Sequence, residues 1–402
     1  MCFLTFGLSV SAFSKSPTNA EIRKRVENLN TIIEVRVTEE VQEQVITLIE
    51  KRKRDAETIL GRTSLYFPMI ENALREKNLP DELKYIAVIE SSLIPDVESH
   101  QGAAGIWQFM RGTAEIYGLK INKHVDERKD LIKATDKALN YMKLLYEIYG
   151  DWTMALAAYN CGTGTLNKAI KKSGGKTKYW DIYEYLPRET RKYIPRFIAA
   201  SYLMNYYYLH DLTPIEPSDD LKYIVSVRVF EKLDFKKLSK EFAIDLELIR
   251  YLNPMYRKDH IPENKNGDYT LTLPDLKMLG YIEKYNALEN IVTSPYMFVR
   301  KPTDDEVELA TRDSNKPIEF TAFLRKKNMS VRDNFKDSSM LFKLGANMDF
   351  GSEKFVLYKM KRKESLLEIA ANKNIPLEEL LAINNVDINT GIPPGSIIRL
   401  SR

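Results

Sequence analysis

Cysteine and histidine are nearly absent from this sequence. Its 402 residues contain two cysteines, Cys2 and Cys161, and four histidines, His100, His124, His210 and His260. Two cysteines cannot build a disulfide framework, no Cys-x-x-Cys pair exists, and the histidines lie far apart without metal-ligand spacing. No metal and no cofactor is expected, nor a nucleophile worked by a neighbouring histidine. Long apolar runs are missing too: no stretch reaches the roughly 18 apolar residues that a bilayer-spanning helix needs. Nor is there an excess of one charge. Lys and Arg number 60 against 56 Asp and Glu, a formal net charge of +4. That balance is too even for a dedicated nucleic-acid binder, so no nucleic acid is expected as a partner. What is present, 44% hydrophobic and 29% charged residues, is the balance of a folded globular chain. At roughly 150 residues per domain the length predicts about two to three domains.

Residues 1–14, MCFLTFGLSVSAFS, are apolar and then small, like the h-region and cleavage site of a secretory signal, although the first basic residue is Lys15. Export is the expectation. Residues 19–210 read as continuous helix, which sets a helical domain at 19–212. Within it, Lys51-Arg52-Lys53-Arg54 reads as a solvated face. Pro80, Asp81 and Glu82 open a helix with the residues that first turns favour. Ala134, Ala138, Met142 and Leu145 form a core stripe. Residues 151–160 give a further helix, stopped at Gly162-Thr163-Gly164, and residues 195–208 the last one. A linker with Pro214 and Pro217 follows.

Beyond the linker, strands at 223–230 and 269–273 bracket two short helices within 235–253, a β-α-α-β module at 221–275. Residues 353–402 repeat that order: a strand at 355–360, a helix opened by a Ser365/Glu368 capping box, a second helix at 377–384 and a strand at 397–400. Residues 286–348 carry no assignable pattern. The expected fold class is mainly α, with small α+β modules after the helical domain.

Glu90 is the most informative residue. Leu83, Ile86 and Ala87 precede it at helical spacing, so Glu90 shares their face. Tyr85, Val88 and Ile89 are apolar as well, and the helix reads as buried nearly all round. A carboxyl there is desolvated, which favours its protonated form and raises its pKa, as a general acid near neutral pH requires. A buried glutamate paired with an arginine for structure fits this helix equally well.

The surrounding motifs separate the two readings. Ile89-Glu90-Ser91-Ser92 is followed by Pro95, Ser99 and Gly102-Ala103-Ala104-Gly105-Ile106-Trp107-Gln108-Phe109-Met110. Further on come Ala157-Ala158-Tyr159-Asn160-Cys161-Gly162 and Leu186-Pro187-Arg188-Glu189-Thr190-Arg191-Lys192-Tyr193. Over about residues 66–208 this series resembles the SLT-type, goose-lysozyme-like domain of lytic murein transglycosylases. It is most similar to the membrane-bound members, because Asp126-Glu127-Arg128-Lys129-Asp130 and Asp151-Trp152 also stand where they have them. The resemblance implies a lysozyme-like helical catalytic domain with Glu90 as the single catalytic acid/base. It implies that Ser91, Ser99, Gln108 and Met110 bind substrate in the cleft. Tyr159 and Asn160 match its floor, where the tyrosine hydroxyl approaches the catalytic carboxyl, and Glu189 matches a carboxylate lining it. Met110 reads equally as core, Tyr193 as packing and Cys161 as an inert buried thiol. Tyr179, Trp180, Tyr183 and Tyr185 read either as sugar-stacking or as core aromatics.

Residues 353–402 resemble a LysM module, a small glycan-binding β-α-α-β fold. The matching residues are Tyr358, Glu364-Ser365-Leu366, Ile369-Ala370, Leu380, Asn384-Asn385, Ile392 and Pro394-Gly395, with Lys363 where glycine is usual. Residues 221–275 look like a degenerate copy that keeps Leu252-Asn253-Pro254 and Leu273-Pro274, and no sugar binding is assigned to them. Together the resemblances imply a peptidoglycan lytic transglycosylase. It would cleave the β-1,4 bond between N-acetylmuramic acid and N-acetylglucosamine, leave 1,6-anhydro ends, and act in the periplasm or cell envelope. Peptidoglycan glycan strands are the expected partner; peripheral membrane association and oligomeric state are left open. One buried acid with no obvious carboxylate partner in the matching motifs leaves the usual two-carboxylate scheme without a clear second member. Two other classes stay open: a muramidase-type hydrolase using Glu189 or Asp126 to direct water, and a non-catalytic peptidoglycan-binding scaffold.

Overall fold

The computed structural model describes residues 18–292, then 347–350, 353–359, 365–373, 375–377, 380–381 and 397–401. The readings made for residues 1–14, for most of 286–348 and of 377–384, and for Lys363, Glu364, Asn384, Asn385, Ile392, Pro394 and Gly395 lie outside the described residues.

The fold is mainly helical. Helix α1 (Asn19–Glu27) opens with a capping box: the Thr18 side chain accepts from the Glu21 amide, and Glu21 accepts from the Thr18 amide. Helix α2 (Glu39–Ile46) passes through a π-helical turn (Thr47–Lys51) into α3 (Lys53–Glu76). The basic run at 51–54 is exposed there. A 3-10 turn (Asp81–Lys84) leads into the short α4 (Tyr85–Ser91). Buried Lys84 pairs with Glu71 of α3 at 2.6 Å and with Asp81, which pins the start of α4 to α3.

Helices α5 (Arg111–Ile116), α6 (Leu131–Tyr149), α7 (Trp152–Cys161), α8 (Thr163–Lys172), α9 (Tyr179–Ile182) and α10 (Arg188–Tyr206) complete this domain. Asp130 caps α6 by accepting from the Ile132 and Lys133 amides, and Asp151 caps α7 by accepting from that of Met154. The stripe of Ala134, Ala138, Met142 and Leu145 is fully buried. So is α7 from Thr153 to Ala158, which makes it the central helix of a single core running from Ile22 to Leu212. Helix α10 packs against α2, α4 and α7.

Two expectations fail here. The domain is not continuous helix: residues 92–110 and 117–126 are loops, tied by antiparallel bridges at Glu98–Ala104, Ala104–Phe109 and Ile121–Asp126. The last helix begins at Arg188, not at Pro195. Proline is tolerated inside α10 because an outside donor replaces its missing amide. The buried Tyr179 hydroxyl lies 3.0 Å from the Arg191 carbonyl that Pro195 cannot reach, and 3.1 Å from that of Thr190.

The linker docks on α3. The Ile215 amide donates to Glu57 O at 3.0 Å, and a Cβ on Gly61 would lie 1.8 Å from the Ile215 carbonyl oxygen. After α11 (Asp219–Lys222) come β1 (Ile224–Val229), β2 (Leu233–Asp234), α12 (Phe235–Phe242), α13 (Leu246–Leu252), β3 (His260–Ile261), β4 (Tyr269–Pro274) and α14 (Asp275–Tyr285). Strands β1 and β4 pair antiparallel, from Ile224 opposite Pro274 to Val229 opposite Tyr269, and β2 pairs with β3. Alternate residues Val225, Val227, Leu271 and Leu273 face a second core with Phe235, Leu238, Ile249, Met278 and Ile282. Helix α14 had no counterpart in the sequence reading. The unit continues past it: Ile291 bridges Val227, and the Val292 amide donates to Ser226 O.

Near the C-terminus, β5 (Asn347–Phe350), β6 (Glu353–Lys359) and β7 (Ile397–Ser401) form one antiparallel sheet in that order. Helix α15 (Leu366–Lys373) opens on a reciprocal Ser365/Glu368 capping box and packs Ile369 and Ala370 with Leu380 and Leu400. No helix among the described residues is long and apolar enough to cross a membrane.

Candidate active site

Glu90 lies in the last turn of α4, and the chain turns sharply after it. Ser92 and Leu93 both adopt left-handed conformations, φ 53° and 60°, which are unfavourable for a side chain as bulky as leucine. The turn is held from outside: Leu93 is fully buried, and Arg62 Nη1 donates to Ser92 O at 3.1 Å. Ser91 is buried, and its hydroxyl lies 3.0 Å from Ala87 O and 2.9 Å from Ile106 O. It therefore ties the end of α4 to the 102–109 loop, and its polar group is committed to the protein.

The Glu90 side chain keeps partial contact with solvent, but its carboxyl is deep enough that burial pushes its pKa from 4.5 up to about 7. Three smaller influences act on it. The Tyr193 hydroxyl donates to Oε1 at 2.6 Å and pulls the pKa down, the charge of Arg196 does the same, and that of Glu189 pushes it up. Glu189, Tyr193 and Arg196 stand at i, i+4 and i+7 on one face of α10. Arg196 Nη1 donates to Glu189 Oε1 at 2.6 Å at the exposed end of this row. No lysine or arginine among the described residues forms an ion pair with Glu90; its partner is a phenol. Burial and the Glu90 charge hold the Tyr193 pKa well above its usual value, so the hydroxyl stays a donor.

Two tyrosines interact with Glu90, and one of them hydrogen-bonds it directly. Tyr159, expected to bring its hydroxyl near the carboxyl, feels the Glu90 charge, which together with burial holds its pKa well above the usual value, while its hydroxyl donates to Trp107 O at 2.8 Å. Tyr193, read as packing, makes the contact. The physical reason is that α10 packs directly on α4 and brings residue 193 over its last turn. The helical spacing of Glu189, Tyr193 and Arg196 is the sequence signal for this contact, and it forms one face only when the helix starts before Pro195.

The other expected cleft residues shape the loop and the floor. Ser99 Oγ accepts from the Ala103 amide at 3.0 Å. Gln108, at φ 50°, donates its side-chain amide to Gly105 O at 2.9 Å and Val97 O at 3.3 Å. Met110 is 47% exposed and so not a core residue. Asn160 Oδ1 accepts from Thr190 Oγ1 at 2.9 Å, joining α7 to α10. Trp107 is fully buried with its indole donating to Thr135 Oγ1 at 2.9 Å. Cys161 is half-buried, with burial raising its thiol pKa. Tyr179 is core, whereas Tyr185 is exposed and Trp180 stacks on Tyr183.

Asp126 is far from free. It is buried, both oxygens accept from Arg128 at 2.9 and 2.7 Å, and Oδ2 also accepts from Arg257 Nη2 at 2.7 Å. Such a carboxylate has no capacity left to direct a water.

Residues 67–182, which include Glu90, the 99–110 loop and α7, match the family model described as Transglycosylase SLT domain. The chain is 32% identical over 196 residues to membrane-bound lytic murein transglycosylase D of Escherichia coli (strain K12), covering 48% of this chain and 43% of that protein. It is 25% identical over 173 residues to membrane-bound lytic murein transglycosylase F of Cellvibrio japonicus, covering 39% and 32%. Among solved structures, the 70 kDa soluble lytic transglycosylase SLT70 from Escherichia coli is similar over 48% of this chain and 31% of that one, at 21% identity and a TM-score of 0.32. The chain thus spans less than half the length of these curated relatives.

Proposed function

We propose that this chain, whose residues 67–182 match the transglycosylase SLT domain, is a peptidoglycan lytic transglycosylase of the cell envelope. It cleaves the β-1,4 bond between N-acetylmuramic acid and N-acetylglucosamine, with Glu90 as sole acid/base. The observation that carries this reading is the Glu90 carboxyl itself, held at a pKa of about 7 by burial and met by the Tyr193 hydroxyl inside the matched domain. A group poised there can give up a proton and take one back at neutral pH.

In the first step protonated Glu90 gives its proton to the glycosidic oxygen as the C1–O bond breaks through an oxocarbenium-like state, releasing the N-acetylglucosamine hydroxyl. Tyr193 supports the carboxylate that forms. In the second step that carboxylate takes the proton of the muramoyl C6 hydroxyl, whose oxygen attacks C1 and closes the 1,6-anhydro ring. Glu90 ends protonated, no water is consumed, and one carboxyl serves both steps.

The hydrolase alternative needs a second carboxylate free to direct water across the sugar from Glu90. Asp126 is held by two arginines and Glu189 is engaged by Arg196, so the transglycosylase reading is favoured. Residues 353–402 are read as a LysM-like anchor to glycan. Mass spectrometry of peptidoglycan digested by the pure protein tests the proposal. Fragments ending in 1,6-anhydromuramic acid are expected; fragments heavier by one water would make it a hydrolase, and no release by folded protein would make it a scaffold.

A further inference from the structure

The run Asp126-Glu127-Arg128-Lys129-Asp130 takes no part in this chemistry, yet it stands between the Glu90 cleft and the β-α-α-β module that follows the linker. On the cleft side, Arg128 clamps the 102–109 loop. Its Nη1 donates to Gly102 O at 2.6 Å and to Phe109 O at 3.1 Å, at the two ends of the loop. Gly105 lies so close that a Cβ on it would come within 1.8 Å of the Arg128 carbonyl oxygen. The same loop offers Ile106 O to Ser91, the residue after Glu90, and Trp107 O to Tyr159.

On the module side, Arg257 Nη2 donates to Asp126 Oδ2 at 2.7 Å. Around it, the Arg257 amide donates to His124 O and the Asp126 amide to Met255 O, while Val125 bridges Tyr256 and is buried in the module's own core. The Asp126 and Arg128 side chains are 1% and 3% exposed, so each depends on its partner for compensation.

We propose that Arg257 is a positioning residue for the Glu90 cleft. By fixing Asp126 it fixes the Arg128 guanidinium that holds the 102–109 loop, and the module from 224 to 292 is thereby a working part of the catalytic unit. This rests on the transglycosylase reading for its consequence, though not for its geometry.

The test uses the full chain with Arg257→Met, Arg257→Lys and, as control, Lys120→Met. The control removes a different bond to the same module, Lys120 to Asp268 at 3.3 Å, without touching Asp126. Lysine at 257 can still supply the single donor. Amide hydrogen exchange at 102–109 and steady-state turnover of soluble glycan fragments are measured together. Arg257→Met should raise exchange in that loop about tenfold and KM by a similar factor, with kcat changed about twofold or less. Arg257→Lys should restore both, and Lys120→Met should leave both at wild-type values. Wild-type loop exchange in Arg257→Met, or a rise spread evenly over the chain, would overturn the proposal. So would a fall in kcat with KM unchanged. A wild-type protein that turns over no glycan would sink the activity reading instead, and the exchange data would still decide the coupling.

Discussion

The Tyr193 hydroxyl donates to Glu90 Oε1 at 2.6 Å and favours the carboxylate, while burial of the same carboxyl favours the acid. Burial wins, and the balance leaves a pKa of about 7. The first proton transfer needs protonated Glu90, so kcat/KM should fall as pH rises through about 7. Tyr193→Phe removes the larger of the two influences that lower the pKa, so this descending limb should move to higher pH while the maximal rate drops about tenfold. Tyr159→Phe, whose lost bond is to Trp107 O, should leave the limb in place. pH–rate profiles of the two variants settle the assignment; an unmoved limb in Tyr193→Phe would return that residue to packing.

Stability should carry the same signature. A carboxyl whose pKa is 4.5 when unfolded and about 7 when folded binds its proton more tightly in the native state. Native stability therefore declines as pH rises from about 4.5 to 7, by about 3 kcal/mol in all for this group. Glu90→Gln does not titrate. Its denaturant midpoint should match the wild type at pH 4 and exceed it at pH 8. A variant less stable than wild type at pH 8 would show that the Glu90 charge holds a partner.

The loop beneath Arg128 offers a comparison between two glycines. Gly102 and Gly105 have φ of +81° and +82°, but a Cβ on Gly102 meets nothing within 4 Å whereas one on Gly105 meets backbone. Gly102→Ala should cost about 1–2 kcal/mol, from conformation alone. Gly105→Ala should cost clearly more and lose activity with it, because the loop must leave Arg128. Equal melting temperatures for the two would contradict the close approach.

Tethering is a separate matter from chemistry. If residues 353–402 hold the enzyme to glycan, they raise its local concentration at the wall. Deleting residues 355–402 should weaken pull-down on insoluble peptidoglycan and spare turnover of short soluble fragments. Undiminished pull-down would remove the anchoring role.

What the sequence disclosed was short-range. Apolar neighbours at helical spacing marked Glu90 as desolvated, the 134–145 stripe marked a core helix, and Ser365 with Glu368 marked a helix start. What it hid depends on groups far apart in the chain. Pro195 signalled a helix boundary, and only the Tyr179 hydroxyl on the Arg191 carbonyl explains why α10 runs through it. A helix that begins at Pro195 leaves out Glu189 and Tyr193, so their shared face with Arg196 does not show in the sequence. The resemblance implies a substrate-facing Ser91, but its hydroxyl turns to Ile106 O. Asp126 is an ordinary acidic residue in sequence, and becomes a junction only through Arg257.

The most direct measurement is release of 1,6-anhydromuropeptides by Glu90→Gln at a pH where the variant is shown to be folded. Glutamine keeps the shape and can still accept from Tyr193, but it can neither give the first proton nor take the second. Release should fall roughly 10²–10⁴-fold or more, with a melting temperature equal to or above wild type. A folded Glu90→Gln protein that releases anhydromuropeptides near the wild-type rate would contradict the account.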